Sequence, residues 1–292
     1  MPELPEVETT VRFLRKKVLG RTLINLWTDF PKNIKKPKPL EKFEKEIKGL
    51  KIIGIRRRAK NILIDLNDKV LLIHQKMTGH LLYGKWEKKG NEWISQIKGS
   101  LLTDSKNYFI HLIFFFENGY QLALSDVRKF AKIELWDKEE LKKSKGFKSL
   151  GPEPLEKNFT YIKFKQVLNS KKGKIKQVLM DQSVIAGIGN IYSDEILYFA
   201  KVHPEKTVPK LSEIEKKNIY TGIKKILTLA VKLQGESFSD YRKPDGKKGF
   251  YDKARKVYRK EGENCPSNCG GKIKRIKVGQ RSAHFCPKCQ KL

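Results

Sequence analysis

Apolar positions Val7, Val11, Leu14 and Val18 recur at helical spacing, with Pro5 suited to a first turn and Gly20 to a stop; the pattern predicts a helix over residues 5 to 20. From 51 to 77 the period changes to that of strands. "NILIDLNDKVLLIHQ" is two apolar runs around Asn67-Asp68, and "IHLIFFFENGYQLALSD" repeats the form around Asn118-Gly119, so two hairpins are predicted. The charged, interrupted stretches 31 to 45 and 84 to 107 read as loops or surface insertions. Beyond "LGPEPL" (150 to 155) the period becomes helical. Segments 174 to 184 and 190 to 200 flank the glycine turn "AGIGN", and a longer helix starts at Ser212, where Glu215 completes a capping box. Ile219, Ile223, Ile226, Ala230 and Leu233 line its apolar face, and Gly235 ends it. The polar segment 236 to 256 reads as a mobile loop.

Charge changes the picture. Lys and Arg number 63 against 32 Asp and Glu, a net charge of +31, with the basic residues spread along most of the length. Such an excess predicts a polyanionic partner, nucleic acid or an anionic membrane surface. The longest apolar run, Phe109 to Phe116, contains His111 and is too short to span a bilayer, and the acidic start is unlike a signal peptide. The expectation is a cytoplasmic protein without membrane contact.

All four cysteines fall in the last 28 residues: Cys265-x3-Cys269, sixteen residues, then Cys286-x2-Cys289. Each pair can share one ion and four thiolates close a tetrahedral structural site, so one Zn2+ is expected. A module this small cannot bury enough core to fold without the metal. The stretch between the pairs carries five Lys and Arg and no acid, as a two-stranded ribbon offering Arg281 to phosphate would.

The start, MPELPEVETT, has chemical potential of its own. Proline after Met1 favours removal of the initiator methionine, leaving a secondary amine on a rigid ring. An α-amino group titrates near ~8, well below lysine, and a helix N-terminus next to it disfavours the charged form. Such an amine can attack a carbonyl-like carbon and form an iminium, with Glu3 as a proton shuttle. On these residues alone, however, Pro-Glu at a terminus is usually just the start of a helix.

Together, MPELPEVETT, Lys60 after a basic strand, "HQKMTG", "SDVRKF", "LGPEPL", "DQSVIAGIGNIYSDEIL", "VHPEKT" and "QRSAHFCPKCQ" resemble the formamidopyrimidine-DNA glycosylase family over nearly the whole chain. The resemblance implies an α+β protein: an N-terminal β-sandwich with flanking helices (1–150), a helix–two-turn–helix DNA-binding domain (151–255) and a zinc finger (256–292). It implies a monomeric, bacterial-type, nucleoid-associated repair enzyme acting on damaged double-stranded DNA, a bifunctional glycosylase and abasic-site lyase for oxidised purines. By position, Pro2 is its nucleophile, Glu3 its proton-transfer group, and Lys60 and Arg281 its phosphate-contacting helpers in elimination. Met77, Arg128 and Phe130 match the family's filling residues for the hole left by an extruded base; pattern alone would put Met77 and Phe130 in the core. Lys172 and Lys176 match a basic patch facing DNA, Asn190 a phosphate-holding turn, and Glu6 a buried residue near the lesion pocket.

The sequence departs from the family in places. The first cysteine pair has three intervening residues in place of two. Asp126-Val127-Arg128-Lys129-Phe130-Ala131 lacks the proline and glycine of the family's turn, Phe109 stands where a DNA-contacting histidine is expected, and 84 to 107 is long. The sister class, endonuclease VIII, shares Pro2 and Glu3 but prefers oxidised pyrimidines; Leu4 favours the purine class.

Overall fold

A computed structural model describes residues 1–237 and 241–292. The chain forms two compact units, residues 1–148 with 234–250, and residues 149–233 with 251–292. Segment 234–250 thus lies with the strand-rich half, whereas the bounds implied by the resemblance put nearly all of it with the helix–two-turn–helix domain.

The first unit is a β-sandwich. One sheet has four strands in the order Leu23–Thr28, Ile110–Phe116, Gln121–Ser125, His80–Gly84; the other has five, in the order Ile34–Lys36, Lys132–Asp137, Lys69–His74, Asn61–Leu66, Gly54–Arg58. Both predicted hairpins form, with Asn67 (φ 55°) and Gly119 (φ 75°) in the left-handed region their turns require. Inward residues of both sheets, such as Phe114, Leu122, Ile62 and Ile73, share one core with Val7, Val11, Leu14 and Val18 of the helix Leu4–Val18.

Two stretches read as loops are more ordered than that. Within 31–45 lie the strand Ile34–Lys36 and the start of the helix Leu40–Ile47, and Ile34, Phe43 and Ile47 are buried in the main core. Within 84–107 a hairpin pairs Trp86–Lys89 with Glu92–Ser95, and Trp86 and Leu101 join Ile110 and Ile113 in a second small core. The Trp86 indole N–H donates to Asn107 Oδ1 (3.0 Å).

In the second unit the helices Ile175–Met180 and Asn190–Ala200 meet around the glycine turn, which Gln182 fastens: its Oε1 accepts from the Gly187 N–H, and its Nε2 donates to the Met180 and Ile188 carbonyls. The helix Glu213–Lys232 begins with the predicted Ser212–Glu215 box. Its buried stripe is Ile219, Ile223, Leu227 and Ala230, with Ile226 and Leu233 half-buried. The finger ribbon pairs Lys274–Val278 with Arg281–Phe285.

The polar segment after Gly235 is not a free surface loop where it is described. Glu236, Tyr241 and Lys243 are buried, Glu6 Oε1 accepts from the Glu236 N–H (2.8 Å), and the Tyr241 hydroxyl donates to the Glu6 carbonyl (3.0 Å). Residues 238–240 of that segment lie outside the described residues. Among the described residues, no helix is long and apolar enough to cross a membrane.

Candidate functional site

Glu3 is the N-cap of the first helix. Its side chain and the Glu6 backbone N–H form half of a capping box, and the Glu3 N–H donates to Glu6 Oε2 (2.8 Å) to close it. Pro2 is buried one residue ahead, under a Met1 that is 44% exposed. Glu6 is 1% exposed and spends one oxygen on the Glu3 N–H and the other on the Glu236 N–H. Gly235 (φ +80°) passes so close that a Cβ there would lie 2.7 Å from Glu6 Oε1. Glu6 therefore braces the turn that carries Pro2 and Glu3.

This first helix runs antiparallel to the strand Gly54–Arg58. Arg15 donates to the Ile55 carbonyl (2.8 and 3.1 Å), and Arg57 pairs with Glu8 (3.0 Å) and donates to the Ala59 carbonyl (3.0 Å). At 1.5 Å per residue, Glu3 lies about 7 Å beyond Glu8, toward the hairpin turn Ala59-Lys60. Lys60 is only 5% exposed. The register Asn61↔His74 brings the next loop, with Met77, to the same end.

His74 stands among Lys76, Lys60 and Lys132. Burial first, and then these three cations, push its imidazole down to about 3, and its Nδ1 accepts from the Lys76 N–H (3.0 Å). Burial likewise pushes His80 down to about 4. Both rings stay neutral in the fold while the unfolded chain protonates them below ~6.5. Their contribution to stability is thus complete above that pH and is lost progressively as pH falls toward 4 and 3. Urea unfolding should show a stability plateau above pH 7 and a decline below 6.5 that His74→Gln makes shallower.

Thr78 and Asp126 tie the filling residues together. The Thr78 hydroxyl donates to Asp126 Oδ1 and accepts from the Arg128 N–H (3.0 Å), and Asp126 Oδ2 accepts from the Ala131 N–H (2.7 Å). The buried Asp126 carboxylate supplies the turn that the missing proline and glycine would otherwise make, with Lys129 taking the left-handed conformation (φ 55°). Phe130 is 51% exposed, and the Arg128 guanidinium lies 4.6 Å over its ring. An aromatic ring and a cation presented together at a loop tip suit insertion into a base stack. Half-buried Met77 is next to Thr78 in sequence, so all three filling candidates sit on one braced pair of loops.

In the second unit, Asn190 opens the helix Asn190–Ala200, whose first turn favours an anion. Lys172 is exposed, as is Arg281 at the start of its finger strand. Lys176 needs correction as a DNA contact. It is fully buried, pairs with the equally buried Asp194 and donates to Ser193 Oγ (3.1 Å). In a lysine-rich chain its outward-facing neighbours hide it; the signal was an acid 18 residues away.

Asp194 and Glu195 dock this helix onto the finger. Asp194 Oδ2 accepts from the His284 N–H and meets His284 Nδ1 (both 2.9 Å), while Glu195 accepts from the backbone N–H groups of Lys256, Val257 and Tyr258 (2.8–2.9 Å). Asp194→Ala would strand a buried ammonium, and equilibrium unfolding should show a loss of about 3–5 kcal/mol. Replacing both partners, Lys176→Met with Asp194→Leu, should recover only the part due to the stranded ammonium, because the buried His284 N–H still lacks its acceptor.

The four cysteine sulfurs lie within 4.8 Å of one another. Cys265–Cys289 and Cys269–Cys286 are 3.7 and 3.5 Å apart, close to the ~3.8 Å edge of a tetrahedron with 2.3 Å Zn–S bonds. Asn268 in the left-handed region (φ 50°) accommodates the extra residue of the first pair. The residues fit a structural zinc ion with no open ligand position.

Comparison with known proteins agrees with this arrangement. Residues 1–133 match the formamidopyrimidine-DNA glycosylase N-terminal domain, 150–242 its H2TH domain, and 262–292 the zinc finger found in FPG and IleRS. Formamidopyrimidine-DNA glycosylases of Heliobacterium modesticaldum and Pelotomaculum thermopropionicum are 37% and 38% identical over the whole of this chain and of their own. Among solved structures, the Lactococcus lactis Fpg in complex with an abasic-site DNA matches at TM-score 0.87 and 34% identity, covering 99% of this chain and 100% of that one. A variant of that enzyme with a Fapy-dG containing DNA matches equally well over 100% of both. With three domain models matched in order and relatives this similar along their full length, the chain belongs to the formamidopyrimidine-DNA glycosylase family.

Proposed function

We propose that this protein is a bifunctional DNA glycosylase and abasic-site lyase that removes oxidised purines, 8-oxoguanine and formamidopyrimidines, from double-stranded DNA. The observation that carries the reading is the mount at the start of the first helix: Pro2 buried beside Glu3, with Glu6 tying the Glu3 N–H and the Glu236 N–H together. The Lactococcus lactis relative with Fapy-dG DNA supports a purine lesion.

The reaction begins when the neutral Pro2 nitrogen of the processed chain attacks C1′ of the extruded nucleotide. The bond from C1′ to the base breaks, and the base leaves with the electron pair and takes up a proton. Glu3 delivers a proton to O4′ as the sugar ring opens, giving the iminium. Loss of a C2′ proton then expels the 3′-phosphate, and loss of a C4′ proton expels the 5′-phosphate; water releases Pro2 and leaves a one-nucleotide gap. Lys60, Arg281, Asn190 and Lys172 hold phosphates, and Met77, Arg128 and Phe130 fill the vacated stack. Zinc holds the ribbon that presents Arg281. The enzyme works as a monomer in the bacterial cytoplasm, at the nucleoid.

Competition between an 8-oxoguanine:cytosine duplex and a thymine glycol duplex tests the substrate class. Preferential cleavage of the first is expected; preference for thymine glycol would assign the chain to the endonuclease VIII class. With ~6 phosphate contacts, log K against log salt should slope near −5. A slope shallower than about −2 would contradict an extensive backbone footprint.

A further inference from the structure

We infer that Tyr198 is a positioning residue of the zinc site, its hydroxyl donating to the Cys265 thiolate and, with Ser267, tying the first cysteine knuckle to the helix Asn190–Ala200. The Tyr198 hydroxyl lies 3.3 Å from Cys265 Sγ and 2.7 Å from Ser267 Oγ. All three residues belong to the second unit.

Zinc sets the direction of these bonds. A coordinating thiol has lost its proton, so Cys265 Sγ can only accept. The single Tyr198 O–H then donates to sulfur, and the Ser267 O–H donates to the tyrosine oxygen. Each bond in this chain polarises the next, from Ser267 through Tyr198 to the metal ligand.

Both ends of the chain are built to meet. Asp194, Glu195 and Tyr198 share one face of the helix at i, i+1 and i+4. Asp194 docks on His284, and Glu195 on the backbone of residues 256–258. Past the helix end, Lys201 turns in the left-handed region (φ 57°), and the Val202 carbonyl accepts from Gln290 Nε2 (2.9 Å). The Tyr198 ring packs against the finger's cluster of Val257, Ile273 and cysteines. That packing asks only for phenylalanine; the hydroxyl is what reaches sulfur. On the other side, three residues separate Cys265 from Cys269, and the middle one is Ser267. The longer knuckle thus carries the hydroxyl that meets Tyr198.

Four thiolates leave a zinc site with net negative charge, and a donor aimed at one sulfur spreads that charge. Partners of this kind are commonly worth about 10–100-fold in metal affinity.

The test is competition for zinc between the full-length protein and a chromogenic chelator, together with the absorption spectrum of the Co2+-substituted protein. Tyr198→Phe keeps the ring and removes only the hydroxyl. It should bind zinc about 10-fold more weakly while keeping the wild-type circular-dichroism spectrum at saturating zinc. Its sulfur-to-cobalt charge-transfer band should move to longer wavelength, because the sulfur lone pair has lost a stabilising donor. Ser267→Ala should move the band the same way by less. Zinc affinity of Tyr198→Phe within about threefold of wild type overturns the inference. Weaker zinc with an unshifted cobalt band also overturns it, because the hydroxyl would then only fasten the finger to the helix. Should Tyr198→Phe fail to fold, Ser267→Ala on the exposed knuckle decides, and a band that stays in place overturns the inference.

Discussion

Protein in which the Pro2 nitrogen stays in a peptide bond, behind Met1 or a short N-terminal tag, is expected to lose strand cleavage by about 10⁴-fold or more, equivalent to ~5.5 kcal/mol in the barrier. An amide nitrogen has no available lone pair, so it can neither attack C1′ nor form an iminium. The comparison is clean because the rest of the chain is untouched. Met1 is 44% exposed, which leaves an extension room, and the Glu3–Glu6 capping box does not involve the Pro2 nitrogen. Single-turnover excision and thermal unfolding of processed and blocked protein should therefore differ in rate and agree in Tm. Equal rates would mean that some other group does the chemistry.

Removing zinc should have the next largest effect, on binding. Structural zinc contributes about 10–16 kcal/mol to the folding of small finger modules, and the cysteines stand at the centre of this finger's own cluster, with Val257, Ile273 and Tyr198 packed around them. The damage should spread beyond it. The helix Asn190–Ala200 satisfies Asp194 and Glu195 through His284 and residues 256–258, and Gln290 Nε2 donates to the Val202 carbonyl (2.9 Å). Without the finger, two buried carboxylates at the proposed phosphate clamp lose partners. Chelated protein, and Cys265→Ser, should lose the finger's circular-dichroism signal and bind a lesion duplex at least 100-fold more weakly. Binding retained in metal-free protein would take the finger out of the account.

Legibility in the sequence followed the range of the forces involved. The first helix, both hairpins and the Ser212 box are set by neighbours within a few residues, through apolar period, Asn-Asp and Asn-Gly turns and caps, and they form as read. The helix Leu40–Ile47 is obscured because two anchors, Phe43 and Ile47, are all it contributes to the core amid Lys, Glu and Pro. Trp86 and Leu101 become a core only when the strands Ile110–Phe116 and Gln121–Ser125 are laid beside them. Segment 234–250 is placed by Glu6, more than 220 residues away in sequence. Lys176 shows the same limit at a single residue, since no local pattern separates a buried, paired lysine from its solvated neighbours. Of the candidate site, the residue types of the N-terminal mount and the zinc ligands were legible from local sequence. The braces Thr78–Asp126 and Asp194–His284 were not, because each joins positions 48 and 90 residues apart.

The most direct test of the central claim is borohydride trapping of the processed protein on an 8-oxoguanine:cytosine duplex, followed by peptide mapping of the adduct. The account predicts a covalent protein–DNA adduct carried on Pro2 and absent in Pro2→Gly or in protein that retains Met1. An adduct mapped to a lysine, or tight binding of the lesion with no adduct at all, would contradict it.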